Sequence, residues 1–424
     1  MSPRKADLCR RGFLGGSLLL VAGAVAACST DPAGSGSAGG AKTTLNVWYH
    51  AYGEAGTQQA VTRYATAFTK ANPDIAVKIS WIPGDYQAKL NSTLLTSEAP
   101  DVFELGDFET GLAKSGQIAA LDDIYGASKS DFTSTNLEYL TAGGKLYGVK
   151  QVDDAMMLYY RKSTLDKAGI KVPTTFAELA DAAKELTTKN TKGLFVGNDG
   201  VGDAPFNAIL SNGGELVADG KAAFASAQAV EALTAVKRLH ADNSLLRGFT
   251  TDWWDPSALT QNAAAMQWGG LWSMPAVEKE LGEDFGVAPW PALKAGGKPM
   301  VRIGGWSCLV NAKGGNVEAA KKYVQWLWIA QTDLQKDFSQ SYGLHIPPRK
   351  AVVAEADKLR TGTAKEAVEL AAQYGKANPN TWSSAVRTAF SDAASKAMTG
   401  QGDVADLLTA GAAKAQPEID KQKV

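Results

Sequence analysis

The side chains able to do chemistry in this chain are mainly aromatic and acidic. "YHAYGE" places Tyr49, His50, Tyr52 and Glu54 within six residues, and "WWD" sets Trp253 and Trp254 beside Asp255. "GVGDAPFN" carries Asp203 and Phe206, and "IGGW" delivers Trp306 behind two glycines, which let backbone approach a ligand closely. Flat rings cover weakly polar C–H surface, and carboxylates accept hydrogen bonds from hydroxyls. Two carboxylates at a set separation would instead serve glycoside hydrolysis, a competing reading for an exported chain. No Gly-x-Ser-x-Gly elbow, His-Glu-x-x-His or Cys-x-x-Cys is present, and His50, His240 and His345 are scattered. No Gly-x-x-x-x-Gly-Lys loop is present either, so the chain carries no phosphate-cradling motif of that kind. No catalytic residue, metal ligand or cofactor is assigned.

These residues need elements to hold them, and the sequence pattern is that of an α/β protein. "TLNVWY" reads as a strand, and "TQQAVTRYATAFTKANP" puts Val61, Tyr64, Ala65 and Phe68 on one helical face before Pro73. "DIAVKISWIP" alternates as a second strand, "YQAKLNSTLLTS" is a helix and "PDVFEL" a third strand. This β-α-β-α-β run predicts a parallel sheet with helices packed on it. Tyr49, His50, Tyr52 and Glu54 then lie beyond the first strand, at the end where open α/β sheets bind ligands. Thr175 and Glu178 form a capping box ahead of Phe176, Leu179, Ala183 and Leu186. "NVEAAKKYVQWLWIA" sets Val317, Ala320, Val324, Leu327 and Trp328 on one stripe, and the last seventy-odd residues are helical in pattern. Trp268, Trp326 and Trp328 read as core.

At 424 residues, 45% apolar and 21% charged, the composition is that of an ordinary globular protein large enough for two domains. The N-terminus differs. Arg4, Lys5, Arg10 and Arg11 precede an uncharged run, Phe13 to Ala27, that reaches only about 22 Å as a helix, short of a membrane's ~30 Å core. It therefore reads as an export signal over residues 1–27. "VAAC" resembles a bacterial lipobox, which makes Cys28 the lipidation site. Arg10-Arg11 resembles a twin-arginine signal, although Cys9 and Gly15 depart from that pattern. Residues 28–41 carry a Gly/Ser/Ala-rich tether with a mean reach of about 20 Å. Removing 1–27 leaves 39 basic against 43 acidic groups, which gives no sign of a nucleic-acid partner. Cys308 reads as a small buried hydrophobe.

"LNVWYHAYGE", "AFTKANPDIAVKISWIPGDYQAKL", "APDVFEL", "LYYRKSTLDKAGIKVPTTFAELADAAKELT", "AAAMQWGGLW", "GLHIPPRKAV" and "AVRTAFSDAASKAMTG" follow one another as in bacterial extracellular sugar-binding proteins of ABC importers, the maltose-binding-protein-like group, which the whole mature chain resembles. The resemblance implies a two-lobed fold of the periplasmic-binding-protein type, with a hinge of crossing strands, a C-terminal helical region and the ligand between the lobes. It divides the chain into lobe 1 (42–150 plus 292–343) and lobe 2 (151–291 plus 344–424), with crossings near Lys150–Asp154, Val287–Pro291 and Gly343–Pro348. It implies a neutral mono- or oligosaccharide as ligand, ABC permease subunits as partners and a monomer held to the outer face of the cytoplasmic membrane through its lipid. A receptor for a non-sugar solute would use the same architecture.

By position in the family pattern, Trp272 is a ring-stacking platform and Asp154 accepts sugar hydroxyls, with Asp153 able to share that role. Asp107 matches another ligand-contacting aspartate, although its loop is one residue short and Glu104 is a rival. Trp382 lies one residue from a second aromatic position. Tyr52 stands where the maltose-binding type has a charged contact, which implies a different hydroxyl pattern. Glu54, Asp203, Trp254 and Trp306 complete the candidate set by their place in the chain.

Overall fold

A computed structural model describes residues 42–423. The basic leader, Cys28 and the tether up to Ala41 lie outside the described residues. The chain opens with β1 (Thr43–His50), α1 (Thr57–Ala71), β2 (Ile75–Ile82), α2 (Tyr86–Thr93) and β3 (Val102–Leu105), the alternation the sequence implies. β1 runs between β2 and β3 and parallel to both. Val61, Tyr64, Ala65 and Phe68 are the buried face of α1. The period of 3.6 thus converts directly into packing.

A twelve-residue strand follows, β4 (Val149–Tyr160), then α3 (Phe176–Glu185), started by the Thr175–Glu178 capping box. Next come β5 (Lys192–Phe195), α4 (Ala204–Ser211), β6 (Ala264–Gly270), β7 (Gly286–Ala288) and β8 (Val301–Val310). The C-terminal part holds α5 (Val317–Gln325), α6 (Thr332–Ser341), β9 (Gly375–Ala377), α7 (Ser384–Met398) and α8 (Val404–Gln422). From Lys350 onward it is largely helical, with β9 the one strand among the described residues. One sheet has the order β2-β1-β3-β8-β4-β6-β5, with β7 also paired to β4 and β9 to β8.

Three large apolar cores divide this sheet, beside a small cluster of Phe195, Ala258 and Ala264. The first draws on residues between Leu45 and Val152, then between Cys308 and Phe338. The second draws on residues between Met156 and Met300, then between Trp382 and Ile419. A third joins Ala155, Met157 and Tyr159 to Leu344, Ala356 and Ala367. Alternate residues of a strand point to opposite faces, so Met156 and Leu158 enter the second core while Ala155, Met157 and Tyr159 enter the third. β4 spans about 40 Å at ~3.3 Å per residue, long enough to run from the first core into the other two. This is a two-lobed α/β fold whose lobes share crossing strands.

β8 is the second such strand, and its burial shows where the seam falls. Its ends, Val301 and Ser307–Val310, are buried, whereas Arg302–Trp306 is only half-buried. The expected crossing at Val287–Pro291 is corrected by this pattern. Val287 and Ala288 pair with Tyr159 and Leu158, Trp290 is fully buried against Phe176 and Trp268, and Met300 joins the same core. Leu293 and Met300 therefore pack in the second core, and the half-buried run Arg302–Trp306 lies between it and the first. The third crossing runs beside β4, where Ile346 and Asp153 exchange backbone hydrogen bonds of 2.9 and 2.8 Å. Gly305 has φ +104°, and a Cβ there would lie 2.1 Å from the Val152 carbonyl oxygen, so only glycine lets the two crossing strands approach this closely.

Candidate ligand-binding site

The polar and aromatic candidates collect along the seam in four groups. The first lies beyond β1. Glu104, on β3, is 1% exposed, and its Oε1 accepts from the His50 backbone N–H at 2.6 Å and meets the His50 ring nitrogen. Its Oε2 accepts from the Tyr52 hydroxyl at 2.9 Å. The His50 ring stacks on Trp306 with centroids 4.0 Å apart and planes at 17°, and Tyr86 meets Trp306 edge-on. Gly106 lies under that indole, where a Cβ would make ordinary contact with it at 3.4 Å. Burial and the neighbouring Glu104 push the Tyr52 phenol well above its ordinary range, so it stays a neutral donor. Tyr49, by contrast, is fully buried beside Trp81 and belongs to the first core.

The second group sits on β4 and the third crossing. Neighbouring strand residues diverge, and so do the two acids. Asp153 accepts from the Asn136 amide at 2.7 Å and pairs with Lys150 at 3.5 Å, while its Oδ1 is buried without a hydrogen-bond partner among the described residues. Burial raises its carboxyl above the usual range, and Lys150 and Asn136 offset only part of that. Asp154 is 4% exposed, and its Oδ1 lies 2.6 Å from Nδ1 of His345. Burial alone would lower the His345 pKa, but the charge and hydrogen bond of Asp154, with Glu54 adding to them, leave it raised. Glu54 is drawn in here, with its Oε2 buried and unpartnered among the described residues.

The third group spans both lobes. Asp203 pairs with Arg302 and accepts from the Trp268 indole N–H at 3.3 Å, and the Arg302 guanidinium lies 4.6 Å from the Phe206 ring centre. Phe206 is thus a floor beneath Arg302. Burial opposes the Arg302 charge, but Asp203 and Asp107 outweigh it. Asp107, in the loop after β3, accepts from Asn378 at 2.6 Å and from Arg387 of α7 at 3.0 Å. That loop is thereby fastened to the opposite lobe.

The fourth group is aromatic. Trp272 is half-buried, donates its indole N–H to the Trp254 carbonyl at 2.9 Å and meets Trp253 edge-on. Trp254 is 51% exposed, and a Cβ on Gly53, in the loop after β1, would lie 4.0 Å from its ring. Trp382 is corrected: it is 1% exposed and ringed by Phe206, Phe224 and Phe390, so neither face is open as a platform. Trp268 and Trp328 are buried, as read, and Trp326 packs on Phe68 at the edge of the first core.

Of the sequence candidates, Tyr52, Glu54, Asp107, Asp153, Asp154, Asp203, Trp254, Trp272 and Trp306 lie along the seam. Sequence reasoning missed Lys150, Asn136, Arg302, His345, Asn378 and Arg387. Asn136 and Arg387 have partners 17 and 280 residues away, beyond any local motif, whereas Lys150 lies three residues from Asp153. No group of three or more His, Cys, Asp or Glu side chains among the described residues is arranged to hold a metal.

Crossing strands between two cores, with acids and rings along their seam, define the class of two-lobed binding proteins. Solved structures share this fold. The receptor GacH of Streptomyces glaucescens, studied unliganded and with acarbose, superposes at TM-score 0.74 with 24% identity, covering 90% of this chain and all of that one. The model of the bacterial extracellular solute-binding protein family matches residues 53–327, and the chain belongs to that family. A probable ABC transporter-binding protein of Deinococcus radiodurans is 32% identical over 219 residues, 48% of this chain, and the chain spans about half, 52%, of that relative's length. The diacetylchitobiose-binding protein DasA of Streptomyces coelicolor is 26% identical over 381 residues, 84% of this chain and 85% of that one.

Proposed function

We propose that this protein is a lipid-anchored receptor that captures a neutral mono- or oligosaccharide between its lobes and delivers it, unchanged, to the permease of an ABC transporter. The observation that carries this reading is the pairing of seam acids. Asp107, Asp154, Asp203 and Glu104 each meet a protein donor or cation, so little free negative charge is left for a cationic solute. One oxygen of Glu54 remains to accept a hydroxyl, Asp153 Oδ1 is held only by the 3.5 Å ion pair to Lys150, and the exposed ring of Trp254 offers a sugar-facing plane with Trp272 beside it. A site that hydrogen-bonds hydroxyls rejects ligands lacking them, because a stranded buried acceptor costs ~1–3 kcal/mol. Relatives named for diacetylchitobiose and studied with acarbose support the same ligand class.

The hydrolase reading is disfavoured by the same pairing. Asp107 and Asp154, the acids that invite it, are held by Arg387 with Asn378 and by His345. The lobes divide as residues 42–152 plus 307–343, and 153–306 plus 344–424. Cys28 carries the lipid, and export follows either a twin-arginine or a general route to the outer face of the cytoplasmic membrane. Closure is driven by contacts that both lobes make only with sugar present. Isothermal titration against maltotriose, diacetylchitobiose, xylobiose and their monomers tests this. Nanomolar-to-micromolar binding of a sugar that is recovered intact is expected; product formation, or heat only from a charged non-sugar solute, contradicts it.

A further inference from the structure

A helix leaves its first N–H groups and its last carbonyls without intrahelical partners. In α7 and α8 such ends are satisfied across the seam, by the loop after β3 and the helical turn it enters, Thr110–Lys114. The backbone N–H of Ser384, the first residue of α7, donates to Oε1 of Glu109 at 3.1 Å, and its hydroxyl donates to the same oxygen at 3.0 Å. The carbonyl of Gln422, the last residue of α8, accepts from the Thr110 hydroxyl at 2.5 Å. Its side-chain Oε1 accepts from the Gly111 N–H at 2.6 Å. A Cβ on Gly111 would lie 2.7 Å from that oxygen and push the amide away, so the glycine is part of the fit. Thr110 N–H also donates to the Asn380 carbonyl at 3.3 Å, beside the bonds of Asp107 to Asn378 and Arg387.

The two sides belong to different lobes. Phe108 lies in the first core with Leu112 and Ala113 packed against it, whereas Trp382, Val386 and Ile419 lie in the second. Neither helix needs the opposite lobe to start. Ser383 caps α7 by accepting from the Val386 N–H at 3.4 Å, and Asp403 caps α8 by accepting from Ala405 and Asp406. Thr110 and Gln422 are buried, so water competes little for their bonds. We propose that Glu109, Thr110, Gly111 and Gln422, with Ser384, form a clasp that biases the ligand-free protein toward closure and so raises affinity without touching the ligand. Every partner in it is a protein group, so the clasp forms whenever the lobes meet. Ligand drives closure through the contacts that it alone adds, and the clasp sets the equilibrium on which those contacts act. A receptor that is closed for a smaller fraction of the time loses apparent affinity by that fraction, although its site is intact. The effect on sugar affinity rests on the function proposed above; the clasp itself does not.

Small-angle scattering of the ligand-free full chain, and its titration with maltotriose and diacetylchitobiose, test the clasp in two variants. Gly111→Ala favours the helix it stands in but displaces the Gln422 amide, so an effect there is not a loss of local structure. Glu109→Ala combined with Gln422→Ala removes both side-chain acceptors. Without sugar, both variants are expected to show a larger radius of gyration than wild type, and saturating sugar should bring it back. The double variant should bind sugar about tenfold more weakly and Gly111→Ala about threefold, the range spanned by one lost hydrogen bond. A ligand-free radius equal to that of wild type in both variants overturns the inference, as does undiminished affinity or a radius that sugar leaves enlarged. If the double variant does not fold, Gly111→Ala decides by the same criteria. If neither sugar binds the wild type, the proposed function fails, and the ligand-free radii still decide the clasp.

Discussion

Two populations of tryptophan share this molecule. Trp268, Trp290, Trp328 and Trp382 are fully buried, with edge-to-face aromatic neighbours at 5.2 to 5.8 Å. Trp254, Trp272 and Trp306 lie along the seam, with Trp254 half open and Trp306 covered on one face by His50. The side chain is the same; the consequence of removing it is not. A core indole contributes burial and packing, and its loss leaves a cavity. A seam indole keeps part of its surface open, so its loss leaves no closed cavity. The contrast shows that aromatic content identifies neither role, and that the assignment follows from how much of each ring the surrounding side chains leave open.

The largest expected effect breaks the contrast on the core side. Trp382→Ala should cost about 3–5 kcal/mol of stability, as large-to-small core substitutions do, and lower the denaturant midpoint of the free protein. Equal stability to wild type would return Trp382 to the seam. Asp154→Ala is expected next, at about 1–3 kcal/mol, because it strands a buried imidazole. It should therefore depress both ligand-free stability and binding, unlike a residue that meets ligand alone. The smallest effect is a pH dependence. The folded pKa of His345 is raised above 6.5, so its contribution to stability is complete below 6.5 and is lost as pH rises through the folded value. Urea unfolding on the alkaline side of 6.5 should show a decline that His345→Asn removes.

Much of the fold was legible because local periodicity dictates it. The first five elements, the burial stripe of α1 and the Thr175 capping box follow from residues within a turn or two of one another. The crossings were less so. "VAPWP" has the look of a connector, yet Trp290 finds Phe176 and Trp268 and is drawn into a core, while "VRIGGWSCLV" reads as one strand although its middle lies between lobes. Candidates that stand in a loop beyond a strand, as Tyr52 and Glu54 do, could be placed at the strand's carboxyl end from local pattern alone. Trp382 went wrong because its partners Phe206 and Phe224 come from elements more than 150 residues earlier. His345 was passed over because a solitary histidine declares nothing until Asp154, 191 residues away, is placed against it.

The capture of sugar at the seam is tested most directly by titrating wild type and Trp254→Ala with the tightest-binding sugar of the panel and unfolding both without ligand. Trp254 is 51% exposed, so its loss should change ligand-free stability by no more than about 0.5 kcal/mol. Loss of a stacking face worth ~0.5–1.5 kcal/mol should weaken sugar binding by roughly two- to tenfold. Undiminished affinity in Trp254→Ala, with its ring still open to solvent when sugar is bound, would contradict the account.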